Sequence, residues 1–495
     1  MSFITRILMP LINRAACLSS LVTWKPGALQ IIASALLAML CTSCANLAGP
    51  EYTQPVTPGK QEWSNAESEV SPSTAAIEPD WWKHFGDPDL NKLIDRALSE
   101  GIDIRILAAR IEVARAGVSQ AEAGALPTVS AIGGVDRFSH SQAENTTRYS
   151  LAAEANWELD IWGKIRKGVE AQGAEFKATE ADWRAGYLTL VSNVAALYFR
   201  IRQFDELSDQ HMQTLERNHR ILLIFDAMYQ EGLIPKTQLL QQQAEIDRLE
   251  NELLEFGRLR LVAENGLATL VGTPAGMLKV PKAHLRKATH LVEVPAGLPS
   301  QLLARRPDIL AAEYRVLQSH NLTGQARLAK LPSISLTGRA GTAAFTAGDL
   351  FGAVTTGLTS ALSFPIFDPN VQARIKLTEA QTKVDEEVYR RTVITAFEDV
   401  ENSLTNLSNH KQQREKLIQR QEKLSVVSDQ INAQLDEGMV SQLEVFEIER
   451  TLLDAEQQLL VNHWLILLDT VTLYKSLGGG WPGEVVGRSD SSEQK

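Results

Sequence analysis

With 495 residues, 44% of them hydrophobic and 22% charged, the chain is long enough for about two or three domains and too apolar to be disordered. Its formal net charge of −11 excludes nucleic acid as a partner, because an acidic surface repels phosphate backbones. Cys17, Cys41 and Cys44 are its only cysteines, and its histidines form no HExxH motif or close helical pair, so disulfides, metal catalysis and a cofactor are not expected.

The first element is a signal segment over residues 1–43. Arg6, Arg14 and Lys25 are its only charges, and the apolar run Ala28–Leu40 is too short to span a bilayer. Thr42-Ser43 before Cys44 resembles the end of a bacterial lipoprotein signal, which makes Cys44 the lipidated first residue of the mature chain. Residues 44–79, punctuated by Pro50, Pro55, Pro58, Pro72 and Pro79, read as an extended lipid-anchored tether. Trp81 and Trp82 then pack that tether onto the body, and a helical pattern runs from about Leu90 to Ala125.

A first repeat is expected over 80–290 and a second over 291–478, followed by a C-terminal tail, 479–495. Each repeat has a helix, a β-hairpin (about 128–160 and 333–366) and a long helical hairpin (about 164–271 and 369–477). The repeats lie about 206 residues apart: Leu126-Pro127 returns as Leu331-Pro332, and Gly232 as Gly438. Such a period is far too long for a solenoid and marks a duplicated half-molecule.

In the first β-hairpin, Tyr149, Leu151, Ala153, Ala155, Trp157 and Leu159 alternate with polar residues, as do Ile334 and Leu336 in the second. Strands of about ten residues with one apolar face fit a membrane barrel wall. Four strands cannot close such a barrel, for which about eight is the minimum, so the sequence calls for an oligomer. Val371–Glu437 has no Gly or Pro and predicts roughly 100 Å of helix. Apolar residues recur at heptad spacing, Leu215, Leu222 and Phe225 in one copy and Leu417, Leu424, Val427 and Ile431 in the other, and ask for a partner helix. The breaks at Gly232 and Gly438 supply it by turning the chain back. The fold class is therefore mainly α with a membrane β-barrel, internally duplicated.

Several motifs carry a resemblance. They are Cys44-Ala-Asn-Leu-Ala-Gly-Pro, Asp80-Trp-Trp-Lys-His-Phe-Gly-Asp-Pro, Trp157-Glu-Leu-Asp-Ile-Trp-Gly-Lys, Leu302-Leu-Ala-Arg-Arg-Pro-Asp308 and Leu473-Tyr-Lys-Ser-Leu-Gly-Gly-Gly-Trp481. In this order they resemble the outer membrane efflux lipoproteins, TolC-like outer membrane factors of tripartite efflux systems. The resemblance covers essentially the whole mature chain. It implies a homotrimer with a twelve-stranded barrel over a helical tunnel, anchored in outer membrane lipids and reaching into the periplasm. The implied partners are a periplasmic adaptor protein and an inner-membrane pump of the resistance-nodulation-division type.

The resemblance also implies site residues. Glu444 and Glu447 match acidic positions lining the closed periplasmic end, and Gln238 and Gln241 are their counterparts in the first repeat. A ring of such carboxylates would favour cations and respond to pH. The hairpin tips, Gly232, Leu233 and Ile234 with Gly438, Met439 and Val440, are the adaptor-docking candidates, although packing of the turn itself would also use them. A lipid-anchored coiled-coil scaffold without a pore is the alternative, and it leaves the four strands unused. An enzyme built on His84 and Asp87 lacks a nucleophile and a pocket.

Overall fold

The computed structural model of the chain describes residues 48–57, 59, 63–64, 78–139, 146–285, 291–292, 294, 302 and 305–481. Cys44, the signal segment and most of the C-terminal tail lie outside these residues.

The body opens on a 3-10 turn, Trp81–Phe85, in which Trp81, Trp82 and Phe85 are buried. Asp87 then caps α1 (Pro88–Glu100) by accepting from the amides of Asp89 and Leu90, and Pro88 takes the first helical position, where its missing N–H costs nothing. α2 follows over Ile102–Ala123. The single helix expected from Leu90 to Ala125 is thus two. Gly101 leaves helical geometry at ψ 133° in a bend so tight that a Cβ there would sit 2.2 Å from the Ala97 carbonyl oxygen.

Strands β1 (Thr128–Phe138) and β2 (Thr146–Leu159) lead into α3 (Lys164–Gln230, 67 residues) and α4 (Lys236–Leu270). The second repeat runs α5 (Pro307–Leu328), β3 (Ser333–Ala344), β4 (Thr355–Ser363), α6 (Pro369–Asp436, 68 residues) and α7 (Gln442–Ser476). At 1.5 Å per residue α3 and α6 are each roughly 100 Å long. Asp368 caps α6 through the amides of Asn370 and Val371, with Pro369 at its first position. Arg306 leads into α5 as a structural residue: it pairs with Asp308 at 2.7 Å and Asp399 at 3.0 Å.

The four strands form one antiparallel sheet in the order β1-β2-β3-β4. Val129, Ala131 and Val135 face Ala155, Ala153 and Tyr149, which in turn face Gly338, Ala340 and Ala344. Leu358 and Leu362 of β4 oppose Gly338 and Ile334. Directly opposed residues share a face, so the apolar sets of all four strands merge into one surface.

α5 packs against both α3 and α6, α2 against α3, and α7 against α6 and α3. The main core gathers the Trp81–Phe85 turn, α1 and the middle of α3 around Trp183, Tyr198 and Phe199. A smaller core joins Ile309, Ala312 and Val316 of α5 to Tyr389, Val393 and Ala396 of α6. The expected heptad seam is only partly the buried one. Phe225 is 4% exposed, but Leu215, Leu222, Leu417, Leu424 and Ile431 are half-buried and Val427 is 39% exposed. Two helices, α4 and α7, cover α3 from different sides, and its innermost line runs between them through His211, Asn218 and Phe225.

The tether follows the α5–α6 groove. His320 donates to the Pro50 carbonyl at 3.1 Å, and Gln54 donates to Glu313 and to the Tyr389 hydroxyl. Trp63 is buried edge-on to Phe397, and the Ser64 amide donates to Glu401.

Candidate functional site

Both long hairpins turn through the same device. Gly232 and Gly438 adopt left-handed geometry at φ 71° and 74°. The Leu233 amide reaches back to the Met228 carbonyl and the Met439 amide to Gln434, which satisfies carbonyls that the ending helices would leave bare. A side chain at either glycine would be strained. The turn leaves Leu233 and Met439 69% and 63% exposed, whereas Ile234 and Val440 are half-buried.

Beyond the second tip, Ser441 and Glu444 form a reciprocal capping box. The Ser441 amide and hydroxyl both donate to Glu444 Oε1, at 3.3 and 2.9 Å. Glu444 is therefore engaged in starting α7. The Ser-x-x-Glu spacing signals this in the sequence, where the family match drew attention to charge alone.

Glu447 lies one turn further along and is exposed. It shares a cavity of about 210 Å3 with its first-repeat counterpart, Gln241, so the structure brings together one expected pair from the two repeats. Thr214 and Asn218 of α3, Glu245 of α4 and Arg450 of α7 also line it, whereas Gln238 and Glu444 do not. Nearby acids are neutralised: Glu245 pairs with Arg248 at 2.6 Å and Glu449 with Arg217 at 3.4 Å. Among the described residues no ion pair reaches the Glu447 carboxylate, which leaves its charge to act on the cavity.

At the opposite end, the sheet's second face is wet. Glu154 stands opposite Arg339, and Asp136 opposite Arg148. Asn156 donates to Glu154 at 2.8 Å and accepts from Thr337 at 2.8 Å. One face carrying charge and the other apolar side chains is the pattern of a barrel wall between water and lipid. Exposed aromatic and aliphatic groups collect where the strands meet the helices: Trp157, Trp162, Phe364, Ile366 and Phe367. The two indoles anchor the junction by donating to the carbonyls of Ala125 and Pro332. Among the described residues no helix is long and apolar enough to cross a membrane.

Between wall and tips, a buried ionic cluster escaped the sequence reading. Arg202, 1% exposed, donates to the Tyr198 hydroxyl and faces Asp89 and Asp205. Arg260 binds Asp205 at 2.5 Å and the Val280 carbonyl at 2.7 Å, so the segment after α4 is pinned to the long hairpin. Burial, and then the Asp87 carboxylate accepting from it at 2.6 Å, raise the Tyr198 hydroxyl above the usual phenol range. That contact and the helix cap occupy Asp87, while exposed His84 lies 3.5 Å from Glu78.

An amphipathic sheet joined to two helices about 100 Å long, each doubled back by a shorter one, is the build of a membrane-anchored conduit. The model of the outer membrane efflux protein family matches residues 93–273 and again 298–479, and the chain belongs to that family. It is 28% identical over 450 residues to the probable outer membrane lipoprotein SilC of Salmonella typhimurium, covering 89% of this chain and 97% of the relative. It is 30% identical over 428 residues to the pyoverdine export outer membrane protein OpmQ of Pseudomonas putida, covering 83% and 91%. The solved outer-membrane channel OprN superposes with a TM-score of 0.80 at 26% identity, over 88% of this chain and all of that one. The protein is an outer membrane channel component of an efflux system.

Proposed function

We propose that three copies close head-to-tail into one tunnel, which passes small molecules from an inner-membrane pump and a periplasmic adaptor across the outer membrane. The observation that carries this reading is a mismatch between the repeats. Within the chain α5 packs on α3, and it buries Pro307 and Ala311 while α3 buries Ala171 and Ala178. The internal shift lays Ile102 and Ile106 of α2 on the first pair, and Leu377 and Val384 of α6 on the second. These counterparts are 55%, 46%, 69% and 55% exposed. Equivalent positions are thus covered inside the chain and bare, with larger apolar side chains, at its two flanks. A ring in which α2 of one copy packs on α6 of the next covers both flanks with one heterologous contact.

The sheet supports the same ring, since β1 and β4 are its outer strands and each has one unpaired edge among the described residues. On this reading Glu447 and Gln241 line the narrow periplasmic end, with Glu444 beside them. Leu233 and Met439 meet the adaptor at the tips, and lipidated Cys44 holds the tether in the inner leaflet. The pump is of the resistance-nodulation-division type, and the chain itself conducts without catalysing a reaction. The pore-free scaffold is disfavoured by the continuous apolar face of the sheet, which a soluble rod has no reason to carry.

Chemical cross-linking in isolated outer membranes tests the reading. Trimers that resist detergent until heated support it, together with restored efflux in a strain lacking its own channel. A monomeric, carbonate-extractable rod that restores nothing would overturn it.

A further inference from the structure

A polar layer crosses the long helices about 30 Å from the tips, measured along the helix from Gly232 to His211. His211, 0% exposed, sits on the buried line of α3. Its Nδ1 lies 3.1 Å from the Leu207 carbonyl oxygen, and its Nε2 lies 2.7 Å from Glu252 Oε2 on α4. From α7, the side-chain nitrogen of Gln457 lies 3.3 Å from Nε2 and 3.5 Å from Nδ1, further than the oxygen that faces each, and the edge of Phe256 closes the site. About 10 Å further from the tips, in the other hairpin, Asn462 of α7 donates to the His410 carbonyl and His410 Nδ1 meets Asp469 at 2.5 Å. The side-chain oxygens of Gln210 and Asn462 are buried here without a protein partner among the described residues. Nearer the tips Gln242 of α4 donates to the Asn218 side chain at 3.0 Å inside the seam, and beyond that pair the packing is apolar, with Phe225 against Phe446 at 5.8 Å and Leu239 and Val445 buried.

Polar groups at seam positions weaken a coiled coil locally while fixing its register. A seam that carries buried polar groups over this stretch therefore bends more easily there than at the apolar contacts next to the tips. Both nitrogens of His211 face oxygen acceptors, and only the doubly protonated ring has a hydrogen for each. A neutral ring would turn one bare nitrogen toward an oxygen inside the seam, and an unmade buried hydrogen bond is costly. The charged groups facing His211 are on α4: Glu252, with Arg248 on its other oxygen at 2.6 Å and Glu245 behind that arginine. On α7 it meets the neutral Gln457, and on α3 the Leu207 carbonyl.

We infer that His211 is a proton-dependent latch at a hinge of the tunnel, engaged while the ring carries both protons and slack when it loses one. The inference rests on the channel reading above. Because α7 carries both Gln457 at the latch and Glu447 at the cavity nearer the tip, slackening the latch frees the segment that bears Glu447.

Single-channel conductance of the full trimer, recorded over a series of pH values, tests this. The wild type should show a conductance step that rises with pH, and His211→Phe and His211→Gln should lose the step. Glu447→Ala should keep it at a different level. A step that survives in trimeric His211 variants, or a wild type without one, overturns the latch and leaves the channel standing. No current from trimeric wild type overturns both. Amide exchange of the wild type gives a check independent of any variant folding. After correction for intrinsic rates, residues 207–218 should lose protection as pH rises, and constant protection would refute the hinge.

Discussion

The indole of Trp81 stacks on the ring of Tyr474 with centroids 4.6 Å apart and planes 18° from parallel. The contact ties the turn that follows the tether to the last turns of α7, so the two ends of the body close on each other. Trp81 is 0% exposed, and truncating a buried tryptophan to alanine costs about 3–5 kcal/mol. Trp81→Ala should therefore lower the temperature at which the protein unfolds in detergent. Trp81→Phe should cost far less, because it keeps an aromatic ring and removes an indole N–H that finds no partner. Equal losses in the two variants would show that stacking is not what this position supplies.

The proposed ring fixes a strand register. The shift that carries Thr128 onto Ser333 and Asn156 onto Ser363 also carries Trp157 onto Phe364 and Leu336 back onto Ala131. Applied to the observed Trp157–Leu336 pair, it sets Phe364 of one copy opposite Ala131 of the next. A Phe364→Cys/Ala131→Cys chain should oxidise to covalent trimers. Phe364→Cys/Ile132→Cys should not, since a one-residue slip sends the second thiol to the other face. Cross-linking by both pairs alike would rule out the inherited register.

The tether should respond to acid through His320. Burial holds this imidazole below the ordinary histidine value, so the neutral ring is the one that fits against Tyr52 and Pro50. The unbound tether leaves a more basic histidine, which takes up its proton first as pH falls. The grip contributed by His320 is therefore complete above the ordinary histidine range and is lost on acidification through it. Burial raises the Glu313 carboxyl, which works in the opposite sense. The informative quantity is thus the difference between wild type and His320→Gln in protease cleavage of residues 48–64. That difference should shrink as pH drops from about 7.5 to 5.5, and a constant difference would contradict the mechanism.

Glu444 and Glu447 should separate in their effects. Glu444→Ala removes the carboxylate half of the capping box at Ser441 and should speed amide exchange in the first turn of α7. Glu447→Ala should leave exchange there unchanged, which makes it the cleaner probe of charge in the cavity.

Much of this architecture is written in local periodicity. The alternation from Tyr149 to Leu159, the unbroken run after Pro369 and the glycines at both tips each state their geometry within a few residues. Gly101 was harder to read, because an isolated glycine is tolerated within a helix and its bend depends on how tightly the chain doubles back there. The latch and the ionic cluster were not legible at all. Arg202 meets the Pro281 carbonyl and Gln54 meets Tyr389 across long stretches of sequence, and no periodicity encodes such meetings. His211 sits with Asn218 on the buried line of α3, yet from the sequence alone it reads as a surface residue beside the leucines.

The most direct test of the central claim is the current carried by purified protein in a planar bilayer, wild type beside Glu447→Ala. The account predicts a small, cation-selective wild-type conductance that grows and loses selectivity when the Glu447 carboxylates are removed. Folded trimers that pass no current in either form would contradict it.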